Sequence, residues 1–249
     1  MSDNDFQKYE DLKKIEDSVF ITTLQQIKSD ISNPFSPLPN RIICIDLLRS
    51  MCKYHTTYFF NFFWGIQKDF INNCLNYENN SKLQQFSFFF LNEILNSINY
   101  EIPAESINKF IFWLYDKIFV FLTKGNNILR ESAKNLIKNI SEKIPCEAVA
   151  ICLLESLEIN DENTINFITQ CLNLYFNEFI SYGLNFNYII EKLEIDQICM
   201  DKENLNYYLR IKNIFKSFKN ILEKEGNDMN FIINYLDDKN KTIFFDLIK

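Results

Sequence analysis

Leu129-Arg130-Glu131-Ser132-Ala133-Lys134-Asn135-Leu136-Ile137-Lys138-Asn139-Ile140-Ser141-Glu142-Lys143-Ile144 sets its apolar side chains at 129, 133, 136, 137, 140 and 144. Steps of three and four residues bring these side chains onto one stripe of a helix and leave Arg, Glu, Lys and Asn on the other side. The same period runs from Leu83 through Phe86, Phe90, Ile94 and Ile98, and from Ile165 through Ile168, Leu172, Tyr175, Phe176 and Phe179. No run alternates as a half-buried strand does. With only four Gly and five Pro among 249 residues, the chain lacks the turn residues that a many-stranded sandwich or barrel needs. An all-α fold with more than 60% helix is predicted, with Leu136 and Ile140 facing the core.

Short polar breaks separate the periodic runs: 33–40, 77–81, 99–104, 124–127, 159–163, 200–204, 225–228 and 237–241. Connections this brief are usual between packed helices. Arg41, Lys82, Asn126, Asn163, Glu203 and Lys239 open successive helix pairs, at steps of 41, 44, 37, 40 and 36 residues. A period near 40 with two helices per unit is that of HEAT or armadillo arrays, and it predicts an α-solenoid of about six hairpins. The whole chain, 1–249, reads as one such domain, with a further amphipathic helix over Asp5–Ser29 making 1–32 an N-terminal cap. Asn is abundant, and most Asn residues read as surface filler.

Asn126-Asn127-Ile128-Leu129-Arg130-Glu131-Ser132-Ala133 resembles the HEAT consensus, in which an aliphatic-Arg pair starts a helix and a small residue follows at a tight crossing. Read with Arg41-Ile42-Ile43-Cys44-Ile45-Asp46-Leu47-Leu48-Arg49-Ser50-Met51 and Ile144-Pro145-Cys146-Glu147-Ala148-Val149, it resembles the TOG domain. The nearest form is that of cytoplasmic-linker-associated proteins and ciliary TOG-array proteins. The similarity is strongest over residues 38–155. The resemblance implies a flat paddle of six HEAT pairs that grips tubulin along an edge of intra-repeat turns, and a cytoplasmic, cytoskeletal setting of which a cilium or axoneme is one case. Carried over, that edge contains Leu38, Arg41, Lys82, Lys124 and Asn126, extended by Asn163, Lys202 and Lys239. Leu38 stands where such domains commonly carry Trp, Gln85 where a basic residue is expected, and Asn166 where Arg often stands. Fewer cations on the edge weaken the attraction to acidic tubulin.

A net charge of −7 and a pI near 4.9 exclude a phosphate-binding surface of clustered Lys and Arg, and with it nucleic acid as the main partner. The acidic start has neither the basic nor the apolar region of a secretory signal, and the longest apolar stretches are too short or too interrupted to span a bilayer. Cytosolic residence without a membrane is therefore expected. Seven cysteines (Cys44, Cys52, Cys74, Cys146, Cys152, Cys171 and Cys199) form an odd set with no C-x-x-C pair, which fits reduced thiols packed as small hydrophobes better than disulfides or zinc. One histidine, His55, offers no metal or triad partners at fixed spacing. Glycines at 65, 125, 183 and 226 form no phosphate loop. These features predict no catalysis, cofactor, metal or small-molecule substrate, and leave a protein partner.

Tyr58-Phe59-Phe60-Asn61-Phe62-Phe63-Trp64 is the most hydrophobic stretch, with more consecutive rings than one helix face can hide. A helix buried on two sides accounts for it. The alternative is that Tyr58, Phe59, Phe62, Phe63 and Trp64 include rings covered by a partner.

Overall fold

The computed structural model describes residues 7–76, 80–98, 103–159, 161–179, 184–198, 205–224 and 229–249. Of these, 84% are helical and none is in a strand. The helices are α1 (Phe20–Ser32), α2 (Leu38–Tyr54), α3 (Thr56–Phe70, continued by a π-helical turn, Ile71–Leu75), α4 (Ser81–Ser97), α5 (Ala104–Lys124) and α6 (Asn127–Lys143), followed by α7 (Glu147–Glu155), α8 (Glu162–Phe179), α9 (Phe186–Lys192), α10 (Ile195–Ile198), α11 (Leu205–Lys224), α12 (Asn230–Tyr235) and α13 (Asp238–Ile248). Asp5, Cys199, the whole of the breaks at 200–204 (with Lys202 and Glu203) and 225–228, and parts of the breaks at 77–81, 99–104 and 159–163 lie outside the described residues.

Helix starts are set by Asx side chains that accept from the amides left open in a first turn. Asn80 Oδ1 accepts from Leu83 N at 2.9 Å, Asn126 Oδ1 from Leu129 N at 3.0 Å, and Asp161 Oδ2 from Thr164 N at 2.8 Å. Asn185 and Asp237 do the same for α9 and α13. Several asparagines are therefore helix starters, not the surface filler that their abundance suggests.

The chain divides into two compact units, 1–103 with 117–136, and 104–116 with 137–249. In the first, α1 packs on α2 and α3, α2 on α3 and α4, and α4 on the π-helical turn. Its centre is a ring cluster. Phe90 lies 5.9, 5.7 and 5.4 Å from the ring centres of Phe59, Phe63 and Phe70, and all four rings are buried. In the second, α7 packs on α8 and α9, α11 on α8 and α13, and α9 on α13. Phe176, Phe186, Phe215, Phe218 and Phe244 form its aromatic centre. Glu194, with φ 48°, turns the chain between α9 and α10, a left-handed conformation uncommon for a residue with a side chain.

The expected helix over 5–29 is replaced by a strap and a later helix: α1 starts at Phe20, and residues 7–15 run as an extended segment with one 3-10 turn, Tyr9–Asp11. The physical reason is that donors on α2 take up the strap carbonyls that a helix would have paired within itself. Arg49 Nη1 donates to Gln7 O at 2.7 Å, Lys53 Nζ to Tyr9 O at 2.7 Å and Tyr54 OH to Leu12 O at 2.8 Å.

Leu136 and Ile140 are both fully buried. Truncating Leu136 to Ala is expected to lower the unfolding free energy by about 2–5 kcal/mol, measured by urea denaturation. A loss below about 0.5 kcal/mol, the range of surface substitutions, would mean that the side chain is not packed.

Candidate functional site: the turn edge of the first unit

The break before α2 is a braced loop. Asn33 Oδ1 accepts from Phe35 N at 2.9 Å, Asn33 O from Ser36 N at 3.0 Å, and Asp30 Oδ1 from Ser36 Oγ at 3.0 Å. Arg41, one turn into α2, is 1% exposed. Its guanidinium donates to Pro34 O at 2.5 Å and, across to the π-helical turn, to Asn73 O at 2.8 Å. Asn73 Nδ2 in turn donates to Ile31 O at 2.8 Å. At the start of α4, Gln84 Nε2 donates to Leu75 O at 2.9 Å. The first turns of α2 and α4 thus abut the same short segment, 73–75, so the two breaks lie at one end of the unit.

This placement decides what each edge residue can do. Arg41 is not a surface cation: its charge is spent on backbone carbonyls, and it bolts neighbouring turns together. Leu38 is half-buried in the first turn of α2. Lys82 is half-buried, its Nζ 5.6 Å from the centre of the Phe86 ring. Lys124 and Asn126 are exposed, and the Asn126 oxygen serves as the cap of α6. Between them, a Cβ on Gly125 would lie 2.5 Å from Phe121 O, so the chain there has space only for glycine. The Phe121 ring, in the last turn of α5, contacts Phe88 of α4 at 5.2 Å. Gln85 is half-buried. Asn163, Asn166 and Lys239, all exposed, belong to the second unit.

Phe35 is the residue that sequence reasoning misses. Its ring is 90% exposed at the tip of the braced loop, three residues before Leu38. The available signal is a lone aromatic between Pro34 and Pro37 in a short polar break.

The aromatic block divides by helical position. Phe59 and Phe63 lie in the chain's own ring cluster, so no partner is needed to cover them. Phe62 and Trp64 are half-buried, and Tyr58 is 68% exposed, edge-on to Phe20 at 6.4 Å.

Burial pushes the thiols of Cys44, Cys52, Cys74, Cys146 and Cys171 up to about 12, and raises that of Cys152 as well. Such thiols stay protonated and are poor nucleophiles. All six are buried and unpaired by disulfides, as packed small hydrophobes should be. Among the described residues no group of three His, Cys, Asp or Glu side chains is placed to hold a metal ion, and no helix is long and apolar enough to cross a membrane. Compared with known proteins, the chain matches no family model and no curated sequence.

Proposed function

We propose that the chain is a non-catalytic scaffold, a TOG-like α-solenoid of about six HEAT-type hairpins, that docks on tubulin or the microtubule surface through the turn edge of its first unit. The observation that carries this reading is Phe35, an exposed ring on a loop already fixed by Arg41, Asn33 and Asp30. A fixed aromatic loses little freedom when it enters a partner's pocket, and so contributes more to binding than a mobile one. Lys82 and Lys124, on the neighbouring turns, supply the positive charge that an acidic partner needs for encounter and orientation. Next-but-one packing, α2 on α4 and α11 on α13, supports the repeat reading, because equivalent helices of successive hairpins stack in that way.

Co-sedimentation with polymerised microtubules, beside gel filtration with unpolymerised tubulin, tests the proposal. Phe35→Ala should weaken association at least tenfold while leaving thermal unfolding unchanged. Lys82→Glu with Lys124→Glu should also weaken it, by less as added salt screens the wild-type attraction. Association unaffected by either change, or none with the wild type, would sink the tubulin reading. A generic HEAT-type adaptor for another cytosolic complex, binding through helix faces, would then take its place.

A further inference from the structure

The other end of α2, away from the turn edge, carries a row of donors that the scaffold reading does not use. Arg49 and Lys53, and Ser50 and Tyr54, are each four residues apart and form two adjacent rows on one side of the helix. Each donates to a main-chain carbonyl of the strap: Arg49 to Gln7, Lys53 to Tyr9, Tyr54 to Leu12 and Ser50 to Lys13. Of the nine side chains from Gln7 to Ile15, six are exposed. Only Leu12 and Ile15, three residues apart, are buried as anchors. Tyr9 is half-buried, its ring centre 4.9 Å from Lys53 Nζ. The strap is thus held as a recognised peptide is held, by its backbone and two apolar anchors. Arg49 is also held from outside the strap: Glu93 of α4 accepts two bonds from it, of 2.5 and 2.6 Å, and Asp46 of α2 accepts one of 2.7 Å.

We propose that this face of α2 is a binding site for an extended peptide, and that Gln7–Ile15 is its cis-bound ligand. The strap can leave, and its place can be taken by a partner segment of the same chemistry: aliphatic side chains at positions i and i+3, charged side chains between and around them, and backbone carbonyls free to accept. Ordering nine residues for two anchors and five hydrogen bonds from α2, Lys53 also reaching Glu10 O at 3.3 Å, leaves a small surplus, so exchange needs no unfolding of the helices. The inference does not rest on the turn-edge reading. About 13 residues of helix, roughly 20 Å, separate Tyr54 from Arg41, so the two surfaces can be filled together.

The experiment uses the full chain and a fluorescent peptide of residues 7–17, followed by polarisation. Wild-type protein should bind this peptide weakly, because its own strap competes. Leu12→Asp with Ile15→Asp, which unseats the strap, should bind it at least tenfold more tightly, and adding Tyr54→Phe should reverse part of that gain. A peptide carrying the same two Asp substitutions should not bind. Failure of the double variant to bind, or loss of its helical circular dichroism, would show that the strap is an integral part of the fold and overturn the proposal. Hydrogen exchange on the unaltered protein gives a second, independent test. Amides of residues 7–15 should exchange at least tenfold faster than those of mid-α2, and exchange of both at one common rate would overturn it equally.

Discussion

Replacing Arg49 by Met is expected to lower the unfolding free energy by about 3–5 kcal/mol, because it leaves carboxylates buried without their cation. The side chain is 1% exposed and joins α2 to α4 through Glu93 and to its own helix through Asp46. Burial pushes both carboxyls above their usual range, and the Arg49 guanidinium pulls them part of the way back. The same carboxylates raise the guanidinium's own proton affinity. Take the guanidinium away, and burial of negative charge stands uncompensated. Arg49→Lys should recover only part of the loss, since an ammonium cannot grip both Glu93 oxygens in one plane and still reach Gln7. Converting Arg49, Glu93 and Asp46 together to Leu should recover most of it, as buried ion groups replaced by apolar ones of similar volume often do. Chemical denaturation of the three variants checks this order. A single Arg49→Met cost below about 1 kcal/mol, the range of exposed ion pairs, would contradict it.

Phe90→Ala should cost a comparable 3–5 kcal/mol. Its ring meets those of Phe59, Phe63 and Phe70 edge-on, with interplanar angles of 87°, 74° and 71°, an arrangement that aromatic quadrupoles favour. Removing the central ring opens a void that three rigid neighbours cannot close. A double-mutant cycle with Phe63→Ala should show coupling of about 0.5–1.5 kcal/mol. A fully additive pair would mean that the rings do not support each other.

The helical character was legible because periodicity is local: each stripe can be read within a dozen residues. The division of the aromatic block was missed. Sequence reasoning groups Phe59 and Phe63 with Tyr58, Phe62 and Trp64 as rings for a partner to cover, although Phe59, Phe63, Ile66 and Phe70 step by four, three and four along one face while Tyr58 falls outside it. What could not be read depends on pairs far apart in the chain. The segment 7–19 has amphipathic spacing, yet donors some 40 residues away on α2 claim its carbonyls, and no local pattern announces that. Arg41 reads as a surface cation because arginines mostly are. Its burial follows from two carbonyls, at 34 and 73, that only the folded chain brings together. Phe35 escaped because helical spacing does not apply to a loop, and the loop's rigidity comes from Asp30 and Arg41 on flanking helices.

Arg41 grips its loop through main-chain oxygens of Pro34 and Asn73, which every amino acid supplies. The frame of the first turn is therefore indifferent to most of the side chains it displays. Over generations the display at 34 and 35 is free to drift, and with it what the edge selects, while the buried guanidinium and the Asn33, Asp30 and Ser36 side chains keep the outline unaltered. A library randomised at position 35 alone would sample new binding preferences on an unchanged support.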